Sequence, residues 1–122
     1  MELTNAQIYL ARQALPCLLT GQKIPVPTSA RLVRLMQELD IHCAVIEGTR
    51  QSLMKQDLKE VDGKLDVTKG TPEMEVFSKD WVDLMADKTE VKFDGEKIKL
   101  PYTVTIEPMN LLNLSMFIEM PE

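Results

Sequence analysis

The sequence predicts an α+β fold: an N-terminal helix packed on a long second helix, then a short helix, an antiparallel β-hairpin or three-stranded sheet, and a C-terminal apolar helix. Three observations predict it. Apolar residues recur at three- and four-residue intervals through 8–18 and again through 32–58, the period of a helix with one buried face. "TEVKFDGEKIKL" alternates on both sides of Asp94-Gly95, a dipeptide suited to a two-residue hairpin turn. "PMNLLNLSMFIEM" is apolar almost all round. The 122 residues suit one domain, with a helical-hairpin half over 1–60 and a mixed α/β half over 61–122.

The first helix is signalled by Thr4 and Gln7 at the spacing of a capping box and by Leu3 and Ile8 at that of a hydrophobic staple. Ile8, Ala11, Leu15 and Leu18 then recur on one face. Pro16 lacks a backbone donor and crowds the preceding turn, which predicts a kink or an end near residues 13–15. In "KIPVPTSARL" the residues before Pro25 and Pro27 favour extended backbone, and Thr28 or Ser29 is placed to cap the second helix. That helix carries Leu32, Leu35, Met36, Leu39, Cys43, Ile46 and Leu53 in a stripe reaching toward Leu58, with Gly48 as the natural break.

From Val61 the signals weaken. "VDGKLDVTKGTPEMEVF" holds turns at Asp62-Gly63 and Lys69-Gly70 around a short alternation and predicts a weak strand or a loop. Ser78 is placed to cap the short helix "KDWVDLMADK", with Phe77 and Val82 as its staple and Trp81 as a core anchor. In the hairpin register Val91 faces Ile98, and "YTVTIE" alternates as a third strand. Pro108 fits the first position of the closing helix, whose Met109, Leu112, Met116 and Met120 form the candidate interaction surface. Methionines suit an adaptable contact face.

A hydrophobic share of 44% against 27% charged argues against a disordered chain. No apolar run is long enough to cross a membrane, and the N-terminus lacks the basic and apolar plan of a signal peptide. The expected location is therefore a cytoplasm. Cys17 and Cys43 both fall among apolar neighbours and are expected to be reduced and buried. The net charge of −5 is uneven: residues 1–36 carry a balance of +3, whereas 37–122 carry ten basic against eighteen acidic groups. Four N-terminal cations are too few for a phosphate backbone, so direct binding of nucleic acid is not expected.

The stretch "QELDIHCAVIEGTR" sets the only histidine, His42, beside Cys43 among Glu38, Asp40 and Glu47. Adjacent helical residues diverge by about 100°, and no C-x-x-C or H-x-x-x-H partner completes a ligand set. His42 is the only histidine base for any nucleophile, and there is no G-x-S-x-G elbow or phosphate-binding glycine array. No catalytic residue, cofactor or metal is expected, and His42 and Cys43 read as the edge and body of a core stripe. The carboxylates of "EMEVFSKD" and "DLMAD" read as solvated faces.

The opening "LTNAQIYLARQAL", the connector "KIPVPTSARLVRLMQEL" into a long helix, "KDWVDLMADKTEVKF" and the closing "IEPMNLLNLSMFIEM" together resemble small proteins of tailed-phage and prophage genomes. The order of pieces carries the resemblance over nearly the whole chain. Pro16 and the longer "DGKLDVTKGTPEMEVF" depart from it. The resemblance implies a phage origin and a non-enzymatic role through protein contacts. The first expectation is a virion structural or assembly component of head, neck or tail, oligomeric or bound to other phage subunits, in host cytoplasm or particle. The alternative is a host-directed inhibitor of a bacterial defence or replication protein.

Overall fold

A computed structural model describes residues 1–93 and 95–120. The fold is α+β. In chain order its elements are β1 (Glu2–Thr4), α1 (Asn5–Leu19), α2 (Val26–Asp57), β2 (Glu60–Val61), β3 (Lys64–Leu65), α3 (Pro72–Ala86), β4 (Lys88–Glu90), β5 (Ile98–Lys99), α4 (Pro108–Leu114) and β6 (Ile118–Glu119). The first helix starts where its capping box places it. Gln7 N–H donates to Thr4 Oγ1 at 3.1 Å, and Gln7 Oε1 accepts from Thr4 N–H at 2.9 Å. Leu3 and Ile8 are both buried beside this cap.

Neither of the first two helices ends where an interruption was expected. α1 runs through Pro16 to Leu19; the proline lies on the exposed face, where water can satisfy the carbonyl it leaves unpaired. α2 runs through Gly48 for 32 residues, about 48 Å at ~1.5 Å per residue. Gly48 lies on the exposed side with open space around it, so its cost is too small to end a helix anchored by Leu32, Leu35, Leu39 and Ile46. The start of α2 also differs from expectation. It begins at Val26 with Pro27 in the first turn, and the Ser29 hydroxyl donates back to the Ile24 carbonyl instead of capping.

The third helix starts earlier than Ser78. Thr71 Oγ1 accepts from Met74 N–H at 3.2 Å, and Pro72 takes the first helical position. Val82 is exposed, so it forms no staple with Phe77. The closing helix is shorter than expected and ends at Leu114; a turn then buries Phe117 and leads into β6.

The strands pair with distant segments. β4 lies antiparallel on β1 with Leu3 opposite Thr89, and β5 lies parallel to β6 with Ile98 opposite Ile118. The expected pairing of Val91 with Ile98 and the third strand over 102–106 are therefore replaced, although Gly95 keeps the positive φ of 85° of a tight turn. Asp94 itself lies outside the described residues. Among the described residues only the two-residue β2 and β3 pair as sequence neighbours.

One apolar core joins the first element to the last. Ile8, Leu15 and Leu18 of α1, Leu32 and Leu39 of α2, and Ile98, Leu114 and Phe117 are all fully enclosed. Phe93 meets Phe117 edge to face, with centroids 5.1 Å apart. Buried Asn5 fastens the corner between α3 and β4: its Nδ2 donates to the Leu84 carbonyl and its Oδ1 accepts from the Thr89 hydroxyl, each at 2.8 Å. No described helix is long and apolar enough to cross a membrane.

Candidate functional site

His42 and Cys43 sit on α2 as a polar edge and a packing residue. His42 Nε2 lies 2.9 Å from Glu38 Oε1, and Glu38 also accepts the Lys92 backbone N–H at 3.1 Å. These bonds, the Lys92 one first, hold the Glu38 carboxyl below its ordinary pKa. Cys43 packs half-buried against the core, and burial raises its thiol, which disfavours the nucleophilic thiolate. Cys17, expected inside, is exposed on the far side of α1; both thiols are free. Among the described residues no three His, Cys, Asp or Glu side chains converge as a ligand set.

One carboxylate pair does form across elements. Asp57 at the end of α2 is raised above the ordinary carboxylate pKa by the neighbouring Asp80 carboxyl of α3, with burial and the Asp80 charge as further causes. Asp57 Oδ2 is enclosed and has no hydrogen-bond donor among the described residues. A like charge beside an enclosed carboxyl oxygen disfavours ionisation of Asp57.

The candidate methionine surface is split by the short α4. Met109 and Leu112 are 65% and 63% exposed, whereas Met116 and Met120 lean on the core beyond the helix end. A second exposed apolar row runs along α2, opposite its buried stripe. Ile41 and Val45, one turn apart, are 61% and 65% exposed.

Clefts flank α2 toward both of its halves. Toward its C-terminal half, about 540 Å³ is lined by Tyr9, Phe77, Trp81, Glu47 and Arg50. Its charge is satisfied internally, because Arg50 Nε meets both Glu47 oxygens at 3.0 Å. Trp81 is the expected anchor, half-buried against the core while lining this cleft.

Toward the N-terminal half, about 500 Å³ is lined by Arg31, Arg34, Leu35, Lys92, Phe93 and Ile98. Lys97 and Lys99 extend the positive rim beside Arg31. Arg31 Nη2 donates to the Glu96 carbonyl at 2.9 Å, fixing the guanidinium at the mouth. Arg34 makes no hydrogen bond or ion pair among the described residues. Cations over an apolar floor favour an anionic partner that also carries apolar groups. This cleft was invisible in the sequence, where Arg31 and Arg34 stand far from Lys92 and Phe93. The one available signal was the basic excess of residues 1–36. Comparison of the chain with protein-family models, with curated proteins and with solved structures gives no match.

Proposed function

We propose that this is a non-enzymatic, phage-encoded protein that acts through protein contacts, as a structural or assembly subunit of the virion. The observation that carries the reading is the outward face of α2. A helix anchored by Leu32, Leu35, Leu39 and Ile46 on one side carries Ile41 and Val45 exposed on the other. A surface helix with its apolar face already buried gains nothing within its own fold from a second apolar row; a partner does. Met109 and Leu112 add a further exposed apolar pair. The resemblance in the order of pieces supplies the phage origin, and the host cytoplasm and the assembling particle are the corresponding locations.

Mass spectrometry of purified particles, together with capture of the tagged protein from infected cells, tests the reading. Stoichiometric presence in particles, or in a complex with another particle protein, is the expected result. Absence from both overturns it. A second reading, a host-directed inhibitor, is favoured by the acidity of residues 57–90, which carry ten acidic against five basic groups. Capture of a bacterial defence or replication protein in place of particle proteins would select it.

A further inference from the structure

We infer that the basic cleft is a docking site for a second copy of this chain, and that its occupant is the outer face of α3, giving a head-to-tail contact. The inference rests on the proposed role in repeated subunit contacts and names the surfaces that make them. The chain is electrically polar along α2. At one end, residues 23–38 and 92–99 together hold six basic groups against three acidic ones, Glu38 beside Lys92 among them. At the other, residues 57–90 hold the acidic excess. From Arg34 to Asp57 the helix spans about 35 Å at ~1.5 Å per residue, so the start of the acidic region is well separated from the cleft, although Glu90 at its end lies two residues from Lys92.

The surfaces also match in character. Leu35, Phe93 and Ile98 line the cleft beneath Arg34 and Lys92. The outer face of α3 exposes Val76 and Val82 beside Glu75 and Asp83. Two valines toward Phe93, the half-buried residue of the cleft floor, and two carboxylates toward two cations give complementary burial and charge, which direct both the rate and the register of docking. Lys79 stands in the middle of the same α3 face and opposes the contact, which limits its strength. Cleft and α3 are different surfaces, so the contact is heterologous and propagates into a ring or filament.

Light scattering of the full chain tests this. Between 0.01 M and 1 M salt the Debye length falls from about 30 to about 3 Å, and the mean mass is expected to fall toward the 13.9 kDa of one chain. Arg34→Glu with Lys92→Glu, and separately Glu75→Lys with Asp83→Lys, are each expected to weaken association at least about tenfold. Circular dichroism monitors folding in both. A mixture of the two charge-reversed proteins is expected to associate again, because each supplies the complement of the other, and Lys79→Glu strengthens the parent contact. A parent protein that stays at 13.9 kDa in low salt, or reversed proteins that fail to rescue each other, overturns the inference. A strictly monomeric protein found in particles overturns the head-to-tail contact while the assembly reading stands.

Discussion

Beyond Asn5, α1, like α2, makes its backbone hydrogen bonds within itself and the two meet through side chains, whereas β4, β5 and the residues beside them take backbone partners from remote segments. Asn5 N–H donates to the Asp87 carbonyl, Val91 N–H to Met1, and Ile98 N–H to Phe117. The loop after β5 is held by a side chain acting as a strand. Gln22 Nε2 donates to the Thr105 carbonyl at 2.8 Å, and Gln22 Oε1 accepts the Thr105 N–H at 2.6 Å. The first region is stabilised residue by residue, and the second holds together only as a set. The comparison teaches where damage spreads: a helix loses one interaction at a time, while a pairing between distant segments loses both.

Phe117→Ala tests this hardest. It empties the fully buried end of the core and removes the contact with Phe93, so denaturant unfolding should show a loss of about 3–5 kcal/mol. A cost near zero would mean that 88–120 is merely draped on a self-sufficient helical pair. Asn5→Ala should cost about 1–3 kcal/mol, since it removes the partner of the Thr89 hydroxyl and one of two donors to the Leu84 carbonyl, which keeps the Asp87 N–H. Its hydrogen-exchange signature should appear in β4 as well as α1. On the helical side, Gly48→Ala should stabilise by about 0.5–1 kcal/mol, because the new methyl meets open space on a regular helix. A loss there would show that α2 needs the glycine to bend.

The smallest effect is one of sign with pH. The raised Asp57 pKa means that the native state holds an extra proton between the ordinary carboxylate pKa and the raised one. That contribution is complete below the ordinary value and is lost as pH rises through the raised value. Asp57→Asn should therefore gain stability relative to the parent at neutral pH and lose that advantage in acid. Glu38 runs the other way: its lowered pKa contributes above the ordinary value and is lost as pH falls through the lowered one. Thermal unfolding of Asp57→Asn and Glu38→Gln across pH separates the two.

Legibility in the sequence divides along the same line. Thr4 with Gln7, and the stripe from Leu32 to Ile46, were readable because cap and periodicity act within a few residues. Thr71-Pro72 carried the same kind of helix-start signal as Pro108 but stood among turn dipeptides that masked it. Asp94-Gly95 argued for a local hairpin, yet Lys88–Glu90 found β1 and Ile98 found Ile118. Local turn chemistry favours a bend without choosing the strands that pair across it. The exposed row of Ile41 and Val45 was present in the letters but unreadable until the opposite stripe was known to be the buried one. The cleft required Arg34 and Lys92 to be brought together by the fold itself.

The pairing of Leu3 with Thr89 also sets a timetable for the growing chain. At about 5–20 residues per second, the intervening segment takes roughly 4–17 s to synthesise, whereas a helix forms in about a microsecond or less. α1 and α2 can associate long before β4 exists, and during that interval Leu3 and Leu35 lack the later residues that cover them. Any factor that shields nascent apolar surface would meet this protein there, at its N-terminal edge, before the last strands arrive to close it.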